Sequence, residues 1–206
     1  INCPINKKRG GFNEAGGTEF LAKKERLKDK EAMLLYGKKF SVSPITTHIP
    51  IRKIHLKITK KKIKNKILTI HKFYKSFIKQ NPKIIVLGLN PHCGEGGKFG
   101  NEEIEIISPT INELRLQGLR VEGPFSADTA FLENNFDGIL AMYHDQALPV
   151  IKTLDFSTTV NVTFGLPFLR TSVDHGTAYD IVDHKKISLN GVINSFKLLK
   201  KISLNR

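Results

Sequence analysis

The sequence is poor in cysteine. It contains only two, Cys3 and Cys93, among 206 residues. Two cysteines outside any Cys-x-x-Cys motif cannot form a disulfide framework, and their spacing matches no common zinc motif. This usage favours a reducing compartment, and we expect both cysteines to be small buried side chains.

Long apolar segments are also absent. No apolar run approaches the ~20 residues that a helix needs to cross a bilayer. The first residues lack the charged start and the long apolar core of a signal peptide. We therefore expect a cytoplasmic protein without a membrane partner. The chain begins without Met on a strand-like segment, residues 1–5, so a piece is expected to be missing in front.

Acidic residues are missing from residues 52–83, where twelve Lys and Arg account for most of the net charge of +14. Ile63, Ile67, Ile70 and Phe73 recur there at helical spacing, which predicts an amphipathic helix with a basic, solvated face. Such a face can attract nucleic acid or acidic lipid. No nucleic-acid motif occurs elsewhere, so an ordinary surface helix is the favoured interpretation. A basic nucleic-acid-binding protein remains the alternative from a different functional class.

Short apolar runs alternate with helical patterns, which predicts an α/β fold with a largely parallel sheet. Thr18 is a candidate N-cap for a short helix, and Gly118 is well placed to end a later one. The predicted strands are residues 1–5, 32–36, 40–45, 84–89, 139–142 and 160–163, and the predicted helices include residues 104–114 and 193–202.

A histidine follows each of three predicted strands: His48, His92 and His144. Open α/β sheets bind ligands beyond the carboxyl ends of their strands, so we expect the three imidazoles to converge. Three histidines and an open position are typical of a catalytic zinc site. Asp145 could orient His144 or bind the ion itself. The remaining histidines, which receive no metal role, are His55, His71, His175 and His184.

Three polar residues follow the His144 strand in segments that contain little other charge: Lys152, Asn161 and Arg170. A Lys and an Arg that frame one site are a natural grip for a phosphate. The glycine-rich residues 94–100 match neither G-x-G-x-x-G nor the Walker pattern. They are better interpreted as a loop that lets the backbone approach a ligand near His92.

Four segments resemble the 4-hydroxythreonine-4-phosphate dehydrogenase family. They are residues 89–97 around His92, residues 123–129, residues 141–150 around His144, and residues 165–178, and they occur in the order that the family shows. The resemblance extends over the whole chain. It implies a three-layer α/β/α fold like that of isocitrate and isopropylmalate dehydrogenases, truncated at the amino terminus. Residues 1–165 would form the central domain that carries the metal histidines, and residues 166–206 would return to the other, incomplete domain.

The resemblance also implies an activity. It is the NAD-dependent oxidation and decarboxylation of 4-phosphooxy-L-threonine to 3-amino-2-oxopropyl phosphate, in pyridoxine 5'-phosphate biosynthesis. Such enzymes are homodimers with the active site at the subunit interface, and they use NAD and a divalent metal, for which Zn, Mg or Co is expected here. Carried over by position, the metal ligands are His48, His92 and His144, the substrate-binding residues are Thr18, Lys152, Asn161 and Arg170, and the catalytic residues are Asp128, His144 and Lys152.

The chain departs from the family pattern at three places. Gly17 stands where members carry a His, and Ala147 stands where they carry a Gly. Members also have a substantial segment before the part that matches residues 1–5. The Gly17 change leaves open a related metal-dependent decarboxylating dehydrogenase that acts on another phosphorylated hydroxy acid. The missing segment leaves open an inactive fragment.

Overall fold

The computed structural model describes residues 1–2, 4–6, 16–27, 30–78, 81–132, 135–177, 179 and 188–204. In these residues, helices pack on both faces of a seven-stranded sheet. None of the helices in the described part is long and apolar enough to span a membrane. The strands are β1 (Ala32–Tyr36), β2 (Ser41–Thr46), β3 (Ile84–Leu87), β4 (Val121–Phe125), β5 (Gly138–Tyr143), β6 (Val160–Phe164) and β7 (Arg170–Val173). The α-helices are α1 (Gly17–Lys24), α2 (Lys60–Phe73), α3 (Ser108–Leu116), α4 (His144–Asp155) and α5 (Asn190–Leu204).

The strand order is β4-β3-β5-β2-β1-β6-β7, and the sheet has two different halves. The first four strands in this order are parallel, whereas β1, β6 and β7 pair antiparallel with their neighbours. The expectation of a largely parallel sheet was therefore right for only one half. The reason is connection length, because β1 and β2 are joined by a tight turn in which the Gly37 amide bonds the Phe40 carbonyl at 3.1 Å. Only antiparallel strands can be joined by so short a turn.

The sheet is buried on both faces, which explains the unbroken apolar runs of its central strands. In β5, Leu140 and Met142 pack in one core with α2, α3 and α5, while Ile139 and Ala141 pack in a second core with α4. Both cores contain residues with essentially no solvent exposure. The predicted α/β fold class is confirmed.

The basic segment forms the predicted amphipathic helix. Helix α2 buries Ile63, Ile67, Ile70 and Phe73 against the sheet and continues as a π-helical turn over Tyr74–Ile78. The Thr59 side chain accepts a hydrogen bond from the Lys62 amide and so caps its start. Some of the lysines are paired with acids, because Lys64 contacts Glu113 and Lys83 lies 2.9 Å from Glu122.

Several predicted boundaries were wrong. Among the described residues of the first six, only an isolated bridge between Asn2 and Ser172 replaces the predicted strand. Thr18 is not the N-cap of α1, because the helix begins at Gly17 and Gly16 precedes it. The prediction for Cys3 lies outside the described residues, and Cys93 is partly rather than fully buried.

Candidate active site

A cavity of about 300 Å³ opens on the antiparallel half of the sheet, on the same face as α4, whose Leu148 and Lys152 contribute to its lining. This volume lies at the small end of the range that is usual for ligand pockets. On β6 and β7, Asn161 pairs with Ser172 and Thr163 pairs with Arg170, so these side chains project from one face of the sheet. The lining includes Thr18, His48, His144, Lys152, Asn161 and Arg170 together with Glu19, Ser172, Asp174 and His175.

Two of the three predicted metal histidines lie side by side at this cavity. His48 and His144 have ring centroids 5.7 Å apart. The cause is strand register, because β2 and β5 are parallel neighbours in which Thr46 pairs with Tyr143. Each histidine follows the end of its strand within two residues. The sheet therefore brings together two side chains that are 96 positions apart in the sequence.

His92 does not join this pair within the chain. It is exposed, and it is absent from the lining of the cavity. The residues from His92 to Gly96 all have positive φ, so the chain makes a left-handed turn immediately after β3. That turn carries the imidazole away from the strand ends. The same turn lies near Asp128, where a hydrogen bond with Ser126 and the charge of His92 help to lower the pKa of the carboxyl group.

Each histidine of the pair has a carboxylate near its Nδ1 atom. His144 Nδ1 is 2.6 Å from Asp145 Oδ1, and His48 Nδ1 is 3.6 Å from Glu19 Oε1. A carboxylate at Nδ1 favours the tautomer with its proton there and leaves Nε2 as the ligating nitrogen. This arrangement fits a divalent ion, since two neutral imidazoles supply half of a tetrahedral donor set. Within the described residues, however, no group of three or more His, Cys, Asp or Glu side chains is placed to hold an ion.

Arg170 also lines the cavity, and two hydrogen bonds hold it in a fixed orientation. Its Nε donates to Asn2 Oδ1 at 2.5 Å, and its Nη1 donates to Thr163 Oγ1 at 3.0 Å. Thr163 Oγ1 is in turn 3.0 Å from Thr18 Oγ1. Burial lowers the pKa of the Arg170 guanidinium, and the negative charge of Glu19 opposes this effect. The cation is thus preorganised next to Thr18.

Lys152 projects from α4 toward the end of β7, where its Nζ is 3.8 Å from Asp174 Oδ2. Burial raises the pKa of Asp174, and the nearby charges of Lys152 and His144 oppose the shift. Asp174 Oδ2 and Asn161 Oδ1 are both buried without a hydrogen-bond partner. Buried acceptors of this kind are costly unless a ligand or water satisfies them. The cavity is therefore built for a polar ligand.

Sequence reasoning did not identify Glu19, Asp174 or His175 as parts of the site. Glu19 follows Thr18 directly, and Asp174 and His175 lie inside the segment 165–178 that carried the family resemblance. All three residues therefore lie in or next to positions that the family resemblance had marked. Their role depends on the packing of α1 and β7 against the cavity, which the sequence pattern did not show.

The two family departures have different surroundings. Ala147 is fully buried inside α4, where an ordinary helical backbone accepts its methyl group. Gly17 is the first residue of α1, and a Cβ atom there would lie 3.3 Å from Arg170 Nη2. A larger side chain at residue 17 would thus stand directly beside the guanidinium. In this chain Gly17 has no side chain, so the space beside Arg170 is part of the cavity.

Comparison with known proteins shows the family of the chain. The sequence profile of the family described as "Pyridoxal phosphate biosynthetic protein PdxA" matches residues 1–199. The 4-hydroxythreonine-4-phosphate dehydrogenase of Aquifex aeolicus (strain VF5) is 44% identical over 206 residues, which cover 98% of this chain and 64% of that protein.

Two solved structures have the same architecture. A 4-hydroxythreonine-4-phosphate dehydrogenase from Klebsiella pneumoniae is 38% identical, with a TM-score of 0.81 over 97% of this chain and 63% of its own. A terephthalate 1,2-cis-dihydrodiol dehydrogenase from Burkholderia xenovorans LB400 is 25% identical, with a TM-score of 0.77 over 97% of this chain and 65% of its own. The chain thus spans less than two thirds of the length of these relatives. By its sequence profile and its fold, the chain belongs to the PdxA family.

Proposed function

We propose that this protein catalyses the NAD-dependent oxidation and decarboxylation of 4-phosphooxy-L-threonine to 3-amino-2-oxopropyl phosphate, a step of vitamin B6 biosynthesis. One observation carries the proposal. Thr18, His48, His144, Lys152, Asn161 and Arg170, which the family resemblance had assigned to substrate or metal, surround a single cavity. The relatives are named 4-hydroxythreonine-4-phosphate dehydrogenases, which supports this substrate and its oxidation. A cytoplasmic location is part of this proposal.

The charges of the cavity suit a substrate with two anionic groups. Arg170 offers a guanidinium fork that is already fixed by Asn2 and Thr163, and Lys152 supplies a second, compact cation. Thr18 adds a hydroxyl beside the fork. We assign the phosphate and the carboxylate of the substrate to these groups. Substrate binding would also supply donors for the buried Asn161 and Asp174 oxygens, because the substrate carries an ammonium group and a hydroxyl.

We assign metal binding to His48 and His144 of one subunit and to His92 of a second copy of the chain. This assignment requires a homodimer with the active site at its interface. It agrees with the outward position of His92 and with the absence of a third ligand among the described residues of one chain. A second cavity of about 320 Å³ on the His48 and His144 side, partly lined by Ile49, Ile51 and Ile54, leaves room for an approaching loop. A bound divalent ion would polarise the substrate alcohol and stabilise the enolate left by decarboxylation.

The protein side chains hold the substrate and move protons. The hydroxyl proton is released as the hydride leaves for NAD, and we assign its acceptance to the Asp128 carboxylate. Asp128 lies near His92, so in the dimer it would reach the site from the same subunit as that histidine. Lys152 is the cationic side chain of α4 at the cavity, and we assign to its ammonium group the donation of a proton to the enolate that decarboxylation leaves. His144 would hold the metal ion as one of its ligands. NAD would accept the hydride, and no residue is assigned to its binding.

The alternative within the same class is a decarboxylating dehydrogenase of another hydroxy acid. It is favoured by Gly17, which leaves the place beside Arg170 without the family's His. The relative from Burkholderia xenovorans is named for a substrate without phosphate or amine, so the fold admits other substrates.

The test is turnover of a substrate panel by the purified chain with NAD⁺ and Zn²⁺, Mg²⁺ or Co²⁺. We expect NADH to form with 4-phosphooxy-L-threonine and to be lost in His48→Ala. Turnover of a different phosphorylated or carboxylated hydroxy acid would favour the alternative. Metal binding without turnover of any panel member would identify the chain as an inactive fragment and reject the proposed activity.

A further inference from the structure

Glu19 is a cavity residue to which the proposed reaction assigns no role. It lies in the first turn of α1, and one of its carboxylate oxygens, Oε1, contacts two neighbouring side chains. That oxygen accepts a hydrogen bond from Thr47 Oγ1 and lies 3.6 Å from His48 Nδ1. Thr47 and His48 are consecutive residues after β2. Glu19 therefore connects helix α1 to the segment that delivers His48.

The position of this carboxylate is costly to maintain. The other oxygen of Glu19, Oε2, is buried and has no hydrogen-bond partner. An unpaired buried acceptor of this kind is costly. The carboxylate nevertheless keeps its place against the His48 ring, with Thr47 as its hydrogen-bond donor. The structure thus holds a carboxylate beside the imidazole.

The backbone next to Glu19 leaves space for this contact. A Cβ atom at Gly16 would lie 2.2 Å from Glu19 Oε2 and 2.9 Å from the His48 ring. Any side chain at Gly16 would therefore displace the carboxylate, the imidazole or both. Gly16, which precedes α1, thus allows the Glu19 carboxylate and the His48 ring to lie close together.

The second histidine of the pair shows the same pattern from a different element. Asp145 Oδ1 lies 2.6 Å from His144 Nδ1. Two adjacent imidazoles, one carried by β2 and one by β5, thus each have a carboxylate at Nδ1, although the carboxylates come from different parts of the chain. A purely structural ion pair would not require the same ring atom in both cases. A shared ligating role through Nε2 does require it, because the proton must then be on Nδ1.

We propose that Glu19 is a positioning residue for His48, and that it holds the imidazole in the tautomer and orientation in which Nε2 binds a divalent cation. The inference rests on the proposed function only in that the ligand of His48 is a metal ion. In this role the Glu19 carboxylate would act on the ring and not as a metal ligand. Asp145 is placed to act on His144 in the same way.

The first test compares Co²⁺ affinity, measured by competition with a coloured chelator, in the unaltered chain, Glu19→Gln and Glu19→Ala. We expect both variants to bind Co²⁺ about 10- to 100-fold more weakly, as is typical for the loss of a carboxylate partner of a metal-ligating histidine. Glu105→Gln, which removes an exposed carboxylate from the π-helical turn before α3, is the matched control and should keep the affinity. Unchanged affinity in both Glu19 variants, with unchanged circular dichroism, would overturn the proposal.

The second test needs no metal and separates this inference from the proposed function. Nitrogen chemical shifts of the His48 ring report which nitrogen carries the proton. We expect the Nδ1–H tautomer in the unaltered chain and a shift toward Nε2–H in Glu19→Ala. If the unaltered chain bound no metal but the tautomer still shifted, the metal assignment would fail while the positioning role of Glu19 stood. The same tautomer in both proteins would refute the positioning role.

Discussion

The left-handed turn that carries His92 depends on one buried carboxylate, and its removal has a calculable cost. Glu103 is 2% exposed. Its Oε1 accepts hydrogen bonds from the Leu89 and Asn90 amides at 2.7 and 2.8 Å, and its Oε2 accepts one from Asn90 Nδ2 at 2.9 Å. These bonds hold the chain exactly where it leaves β3 for the turn.

The turn itself is strained. His92, Cys93 and Glu95 have φ values of 49°, 53° and 45°, although none is glycine. Each such residue costs about 1–2 kcal/mol relative to an ordinary conformation. The hydrogen bonds of Glu103 must therefore offset several kcal/mol of backbone strain. In Glu103→Ala two backbone N–H groups lose their acceptor, at about 1–3 kcal/mol each. We expect the free energy of unfolding to fall by about 3–5 kcal/mol.

Glu103→Gln distinguishes the contributions of the two Glu103 carboxylate oxygens. The Gln carbonyl can still accept from both amides, but its NH₂ group opposes Asn90 Nδ2, so we expect a loss of only about 1–2 kcal/mol. Glu102→Ala is the matched control, since it removes another carboxylate that bonds Asn90 Nδ2, at 2.8 Å, but bonds neither amide. Guanidinium denaturation gives the three values, and hydrogen exchange shows whether the Leu89 and Asn90 amides open. A loss below 1 kcal/mol in Glu103→Ala, with both amides still protected, would refute the reasoning.

Three further outcomes follow from the site and the surface. Arg170→Lys should weaken kcat/KM by about 30- to 1000-fold, because an ammonium cannot replace the fork, whereas the exposed Arg115→Lys should have no effect; similar kinetics for the two variants would contradict this. Burial alone would raise the pKa of Glu19, but Thr47 and the adjacent His48 ring outweigh it and lower the pKa to about 2. The ionised carboxylate therefore stabilises the fold above its ordinary pKa near 4.5, and this contribution is lost as the pH falls toward 2. The difference in unfolding free energy between the unaltered chain and Glu19→Gln should be about 1–2 kcal/mol larger at neutral pH than near pH 2, and the same difference in denaturation curves at both pH values would exclude the effect. Finally, duplex DNA should not bind measurably at ~0.15 M salt, because the sequence contains no nucleic-acid-binding motif, salt screens the basic face of α2, and two of its segment's twelve cations, Lys64 and Lys83, are paired with acids. Micromolar binding at that salt would restore the nucleic-acid alternative.

The elements that were predictable from the sequence are those whose residues are buried in a regular pattern. Strands β3 and β5 are short apolar runs because both of their faces are covered. Helix α2 shows the period of a helix that covers one core. Gly118 ends α3 in the left-handed conformation that glycine permits, with φ of 84°. In each case local chemistry and tertiary burial point to the same structure.

Two elements next to the cavity were not predicted, for physical reasons. Strand β7 reads Arg-Thr-Ser-Val, and its Arg170 and Ser172 line the cavity instead of packing in an apolar core. The Gly165-Leu166-Pro167 segment belongs to the link by which β6 turns back into β7. Helix α4 follows β5 without a loop and contains Pro149, which obscured its apolar stripe. Patterns of apolar residues in a sequence indicate which side chains pack in a core. The side chains that line a ligand cavity are polar, so such patterns do not identify the elements that carry them.

The same distinction explains the histidines. His48 and His144 lie together because β2 and β5 are neighbours in register, which strand-end reasoning can anticipate. His92 follows β3, which is also a neighbour of β5, yet β3 pairs only as far as Val86 with Leu140, three positions before Tyr143. The chain then enters a left-handed turn held by Glu103. A histidine after a strand therefore indicates a ligand position only when the strand reaches the edge that its neighbours reach. His92 fails that condition within one chain, so the proposed metal site requires His92 from a second subunit.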